Sequence, residues 1–102
     1  MAEKITAEDL KKDLNNYVII DVRETDELNS GKIESSIHMP LGLCIRNIKK
    51  KQIEELKDKK ICTYCASGYR GNVAADELIS EGFNAVTLEK GFSSWKIGRA
   101  HV

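Results

Sequence analysis

The run YVIID, Tyr17 to Asp21, sets the strictest limit on what this chain can fold into. Its apolar residues are continuous instead of alternating, the pattern of a strand covered on both faces. KICTYC and AVTLE read as two further strands and SSIHMP as a brief one, with helical patterns between them. Thr6, with Asp9 three residues on, has the form of an N-cap with an acidic first turn, opening a short helix that carries Leu10 and Leu14 on one face. ETDELNSG reads as a helical turn or two closed by Gly31 in the left-handed conformation. Ile45, Ile48, Ile53 and Leu56 fall at helical spacing and give one helix and a frayed second. GNVAADELISEG is the clearest helix, with Ala74 and Leu78, and Ala75 and Ile79, four apart on one stripe, and Gly82 ends it. GFSSWKIG forms a terminal turn or helix that lays Phe92 and Trp95 on the core. Alternating units of this kind define an α/β protein with a largely parallel sheet covered by helices, whose ligand sites lie at the carboxyl ends of the strands.

With 102 residues and no internal repeat, low-complexity tract or Pro/Ser-rich linker, residues 1–102 are expected to form one domain. The 16 basic and 16 acidic residues cancel, and the basic ones are scattered apart from Lys49, Lys50 and Lys51. Nucleic acid is therefore not an expected partner, and the lysine run reads as a solvated helix face. No segment has the apolar length of a leader or a membrane span, so a soluble, cytoplasmic protein without a membrane partner is expected. The three cysteines Cys44, Cys62 and Cys65 cannot all pair within one chain, and a reducing compartment keeps such thiols free.

Cys65 ends the KICTYC strand and a helix begins near Arg70, leaving a tight turn through Ala66, Ser67, Gly68 and Tyr69. Several backbone N–H groups of such a turn can converge on the sulfur as an anion nest. Gly68 permits a backbone angle that a side chain forbids, Ala66 and Ser67 keep the rim small, and Arg70 adds a permanent charge. A hydrogen bond to a charged group contributes about 1.5–3 kcal/mol and a helix N-terminus about 0.3–1 kcal/mol, so two converging amides outweigh the dipole.

Three uses of Cys65 compete: a nucleophile in this cradle, a redox partner of Cys62, and a buried core thiol. The Cys62–Cys65 spacing matches thiol oxidoreductases. However, Cys62 lies inside an extended strand, and the three-residue step sends the two side chains to opposite faces. Cys62 and Cys44 read as small core hydrophobes, while the small-residue loop and its arginine favour the nucleophile for Cys65. A Cys–His hydrolase is disfavoured, because His38 in its short strand suits a structural hydrogen bond and His101 is next to the last residue.

Four segments in order resemble the rhodanese-like domain family, single-domain sulfurtransferase type, across nearly the whole chain. YVIIDVRE resembles its strand ending in Asp-Val-Arg, and GKIESSIHMPLG its segment ending in Ile-Pro-Leu. YCASGYRGNVAADEL resembles its Cys-x-x-Gly-x-Arg loop with the following helix, and LEKGFSSW its Gly-Gly-x-x-x-Trp ending. The resemblance implies a largely parallel central sheet of about five strands with helices on both faces. It implies a ping-pong reaction in which Cys65 takes the outer sulfur of a donor such as thiosulfate, holds it as a persulfide and passes it to a thiol, to cyanide or to a sulfur-accepting protein. Ala66, Ser67, Gly68, Tyr69 and Arg70 would hold the donor and the terminal sulfur, with no metal or cofactor. Arg70 either binds the anionic donor or is tied to Asp21 or Glu24. Asp21, Arg23 and Pro40 match the family as scaffold. Similar domains fused to flavin-dependent disulfide reductases imply an alternative, a sulfur-carrier or docking module acting with a larger enzyme.

The related phosphatases place five residues between cysteine and arginine where this chain places four, and Tyr64 stands where they usually have histidine. One residue changes the contour by about 3.5 Å, hence the radius of a closed cradle by about 0.5 Å. That difference matches the spread of hydrogen-bond lengths, so amides fitted to one sulfur crowd a tetrahedral phosphate. Departures from the rhodanese-like pattern are Lys32 for histidine, Glu89-Lys90 interrupting the expected glycine pair, and Gly71 where serine is common. Gly71 is expected to weaken the helix cap by a few tenths of a kcal/mol.

Overall fold

The computed structural model describes residues 2–100, with 97–100 as helical backbone alone. His101 lies outside the described residues. Strands β1 (Glu3–Ile5), β2 (Tyr17–Asp21), β3 (Ile37–His38), β4 (Lys60–Tyr64) and β5 (Asn84–Leu88) form one sheet in the order β1-β5-β4-β2-β3, and every neighbouring pair is parallel. Helices α1 (Ala7–Lys12), α2 (Leu41–Lys49), α3 (Tyr69–Ser80) and α4 (Gly91–Ala100) cover its faces.

The continuous apolar run of β2 divides between those faces as the pleat requires. Ile20, with the partly buried Val18, packs among Cys44, Ile48, Ala74 and Leu78 of α2 and α3. Ile19, one residue away, packs among Leu10, Phe92 and Trp95 of α1 and α4. In β4, beside β2 in register Ile20↔Thr63, Ile61 joins the first cluster and Cys62 and Tyr64 the second.

Thr6 caps α1, its Oγ1 accepting from the Asp9 N–H at 3.1 Å. The Leu43–Leu56 segment divides as expected into α2 and a 3-10 helix at Glu54–Asp58. Several local expectations are corrected. Leu14 starts a separate 3-10 turn after α1 ends. The Thr25–Ser30 turn is also 3-10, and Gly31 closes it at φ 110°, ψ 173°, a glycine-only region other than the left-handed helical one. Ile79 is exposed, so the buried stripe of α3 is Gly71, Ala74, Ala75 and Leu78. Lys49, Lys50 and Lys51 occupy the end of α2 and the turn beyond it instead of a helix face. β1 had no apolar run to announce it: it is a three-residue edge strand with Glu3 and Lys4 exposed, held by pairing with β5. Among the described residues no helix is long and apolar enough to cross a membrane.

Candidate active site

The loop from Cys65 to Gly68 joins the carboxyl end of β4, the middle strand, to the start of α3. Gly68 is the N-cap of α3 at φ 123°, a conformation that a side chain rarely adopts, and its N–H donates to Cys65 Sγ at 3.1 Å. Several amides were expected on the thiol, but Gly68 alone donates to it among the described residues. The N–H groups of Ala66, Ser67, Tyr69 and Arg70 have no acceptor there. Cys65 is 1% exposed, beneath a rim on which Ala66 and Ser67 are exposed and Tyr69 is 77% exposed.

Helix α4 fixes this loop from the other side. The N–H of Phe92 donates to the Cys65 carbonyl at 2.8 Å, and that of Ser93 to the Ala66 carbonyl at 3.1 Å. Two loop carbonyls are thereby spent on the start of α4. Gly91 makes the approach possible, since a Cβ there would lie 2.5 Å from the Cys65 carbonyl oxygen.

Arg70 was expected to meet substrate or to be tied to Asp21 or Glu24; its guanidinium instead holds Glu27, with Nη1 and Nη2 each donating at 2.7 Å to one carboxylate oxygen. The Arg70 hydrogen bonds bring the Glu27 carboxyl down to about 2 and raise the guanidinium further above its ordinary value. Asp21 belongs to a separate buried group. Its carboxylate accepts from Arg23 Nη2 at 2.8 Å and from Tyr64 Oη at 2.7 Å, while the Ile33 N–H donates to Tyr64 Oη at 3.1 Å. Burial favours the neutral Asp21 carboxyl, but the Arg23 and Tyr64 donors outweigh it and hold the group below the usual carboxylate range. Arg23 also donates to the carbonyls of Gly31 at 2.8 Å and Glu27 at 3.3 Å. The end of β2 thus holds the segment that holds Arg70.

Tyr64 packs on the α1/α4 side and Cys65 on the α2/α3 side, so the tyrosine is a structural hub away from the thiol. Cys62 is buried on the Tyr64 face, and burial pushes its thiol up to about 12 and that of Cys44 to about 11. Both are neutral core groups. His38 Nε2 meets the Arg23 carbonyl at 2.8 Å, the structural hydrogen bond expected of it. Pro40 precedes α2 as its cap, with the Cys44 N–H on its carbonyl at 2.8 Å. Among the described residues no three His, Cys, Asp or Glu side chains are grouped to hold a metal.

Gly71 differs from the expectation. It lies inside α3 and not at its cap, and a Cβ there would stand 2.8 Å from Thr87 Oγ1 and 3.1 Å from Tyr64 Cα. The Thr63 hydroxyl donates to the Gly71 carbonyl at 2.7 Å. The missing side chain lets α3 sit close on β4 and β5, which sets where the helix begins. Glu27 had no comparable signal in the sequence, because it acts on a residue far along the chain; Gly91 was marked only by the Gly-Gly-x-x-x-Trp resemblance, which does not say what it approaches.

A four-residue loop between cysteine and arginine, at the carboxyl end of the middle strand of a five-stranded parallel sheet, defines an α/β domain whose candidate site is a cysteine loop. The chain matches the profile of the Rhodanese-like domain over residues 6–97 and belongs to that family. YtwF of Bacillus subtilis, whose name proposes a sulfurtransferase, is 31% identical over 94% of this chain and 84% of its own length. The crystal structure of a rhodanese-related protein from Thermoplasma volcanium superposes with a TM-score of 0.81 at 35% identity, covering 94% of this chain and 92% of that one. Reduced CoADR-RHD of Bacillus anthracis gives 0.83 at 29% identity, with 98% of this chain matching 17% of that longer protein.

Proposed function

We propose that this protein is a sulfurtransferase in which Cys65 carries the sulfur. The Cys65 thiolate attacks the outer sulfur of a donor such as thiosulfate. An Sγ–S bond forms, the donor's S–S bond breaks, and sulfite leaves with the bonding pair. The persulfide then passes its outer sulfur to a thiol or to cyanide, returning Cys65 as thiolate. The observation that carries this proposal is the contact between Gly68 N–H and Cys65 Sγ in a loop whose other amides have no acceptor among the described residues. An outer sulfur bonded to Sγ extends into that loop, where Ala66, Ser67, Tyr69 and Arg70 offer free N–H groups to an anion. Family membership and the name of the Bacillus subtilis relative support the same chemistry. A shielded thiol with a short cradle favours a sulfur presented end-on over a tetrahedral phosphate.

Mass spectrometry of the protein after incubation with thiosulfate tests the proposal. A gain of one sulfur atom on Cys65, absent in Cys65→Ser and lost on adding cyanide, is the expected result. An unmodified Cys65 with every sulfane donor tried overturns it.

A second reading, a sulfur carrier docking on a larger enzyme, is favoured by Tyr69, a large side chain 77% exposed on the rim of the loop. The Bacillus anthracis protein, of which the matching domain is a small part, supports it as well. Loading without multiple turnover by the isolated chain selects this reading over the autonomous enzyme.

A further inference from the structure

Lys90 stands in the left-handed region at φ +61°. A side chain held there carries a cost that glycine does not. With Lys4 of β1, Lys90 lines a cavity of about 630 Å³ whose wall includes Ser67, Gly68 and Asn72. Gly68 also donates to Cys65 Sγ, so the cavity and the thiol lie on one stretch of loop. Among the described residues neither lysine forms an ion pair, and Glu89 is the one acid on the wall, which leaves it net cationic. Asn72 Oδ1 is buried and has no donor among the described residues, so nothing there stops the side-chain amide from turning its Nδ2–H toward an anion in the cavity. The volume falls in the range of pockets for organic ligands and leaves much of the space empty around an inorganic anion.

We infer that this cavity is an anion subsite that selects, as sulfur acceptor, a small thiol carrying a carboxylate. It rests on the Cys65 persulfide proposed above. The carboxylate lies against Lys4 and Lys90 while the acceptor thiolate reaches the loop. That thiolate attacks the outer sulfur of the persulfide; the new S–S bond forms, the Sγ–S bond breaks, and its electron pair returns to Cys65 as thiolate. The proton given up by the acceptor thiol is taken by the outer sulfur, which leaves on the acceptor as a hydropersulfide, and no oxidant or reductant is consumed.

The matched probes are 3-mercaptopropionate and its methyl ester, offered to protein already loaded on Cys65. In each variant the ratio of their kcat/KM values, compared with the ratio in the wild type, cancels the intrinsic reactivity of the two thiols. Lys90→Gly and Lys4→Gln are each expected to lower that ratio about 1.5- to fivefold, the span of a solvent-exposed charge pair. Added salt should lower the wild-type ratio in the same direction. Lys90→Gly should also raise the melting temperature, which separates loss of the charge from damage to the fold. A ratio unmoved by either substitution, or one insensitive to salt, overturns the anion subsite. Failure of the wild type to load sulfur at all overturns instead the persulfide on which it rests.

Discussion

Arg70 and Glu27 are 43 residues apart and meet in a two-pronged ion pair, both nitrogen–oxygen distances 2.7 Å. The pair ties the first turn of α3 to the segment after β2, so the arginine of the loop is held in place before any ligand arrives. Each side chain is 29% exposed, which screens the attraction and limits its contribution to about 1 kcal/mol.

Glu27→Gln should therefore lose about 1 kcal/mol of stability at neutral pH. The Glu27 carboxyl is depressed by its bonds to Arg70 from the ordinary 4.5 to about 2. Its stabilisation is fully present above the unfolded value and is lost as pH falls through the folded one. The difference between wild type and variant should accordingly shrink between about pH 4.5 and about pH 2. Urea denaturation of both proteins across that window checks it; a difference independent of pH would show that Glu27 acts through something other than its charge.

Tyr64→Phe keeps the ring that sits 6.0 Å from Phe92 and deletes the hydroxyl. The buried Ile33 N–H then loses its acceptor and Asp21 one of its donors. A cost of about 1–3 kcal/mol is expected. Sulfur loading of Cys65 should be unchanged, because Tyr64 and Cys65 pack on opposite faces of the sheet. Paired measurements of melting temperature and loading rate test this, and a loading defect without a loss of stability contradicts the structural role.

What the sequence could disclose divides by range along the chain. The buried β2 strand, the start of α3 and the loop at Cys65 follow from residues within a few positions of one another. So does the local Asp21–Arg23 pair, since a strand end followed by a turn brings the side chains of residues 21 and 23 together. The partner of Arg70 was not legible. Asp21 and Glu24 were equally acidic and near the right strand end, and the choice of Glu27 depends on Asp21 being taken by Arg23 and Tyr64. β1 was missed because an edge strand of three residues draws its order from β5 and not from its own composition. Gly71 was misread as a cap position because its closeness to Thr87 exists only once α3 has packed on β5.

Gly91→Ala tests the grip of α4 on the loop. The new Cβ would lie 2.5 Å from the Cys65 carbonyl oxygen and 2.8 Å from the Ala66 carbonyl carbon, on a backbone at φ 59°. The backbone conformation alone costs about 1–2 kcal/mol, and the loop has to retreat as well. Loading of Cys65 should fall together with stability, and more steeply than in Glu27→Gln at equal stability. Wild-type loading in Gly91→Ala would mean that the bonds from Phe92 and Ser93 do not set the loop.

Gly71 and Thr87 should be coupled, and a double-mutant cycle can isolate the coupling. Gly71→Ala alone puts a methyl group 2.8 Å from Thr87 Oγ1, so α3 must lift or the threonine must turn and give up its hydrogen bond to the Thr63 carbonyl. Overpacking of this kind costs about 1–3 kcal/mol, which the better helix propensity of alanine offsets only in part. Thr87→Ala alone loses one weak hydrogen bond, about 1 kcal/mol. With both substitutions the methyl of residue 71 faces the space that the hydroxyl left, so the double variant should be more stable than the sum of the singles by at least about 0.5 kcal/mol. The contact at 3.1 Å to Tyr64 Cα is with backbone and cannot relax in the same way, so some cost remains in the double variant. Strict additivity in urea denaturation would mean that α3 moves as a body when residue 71 grows, and Cys65 loading would then fall in Gly71→Ala whether or not Thr87 is present.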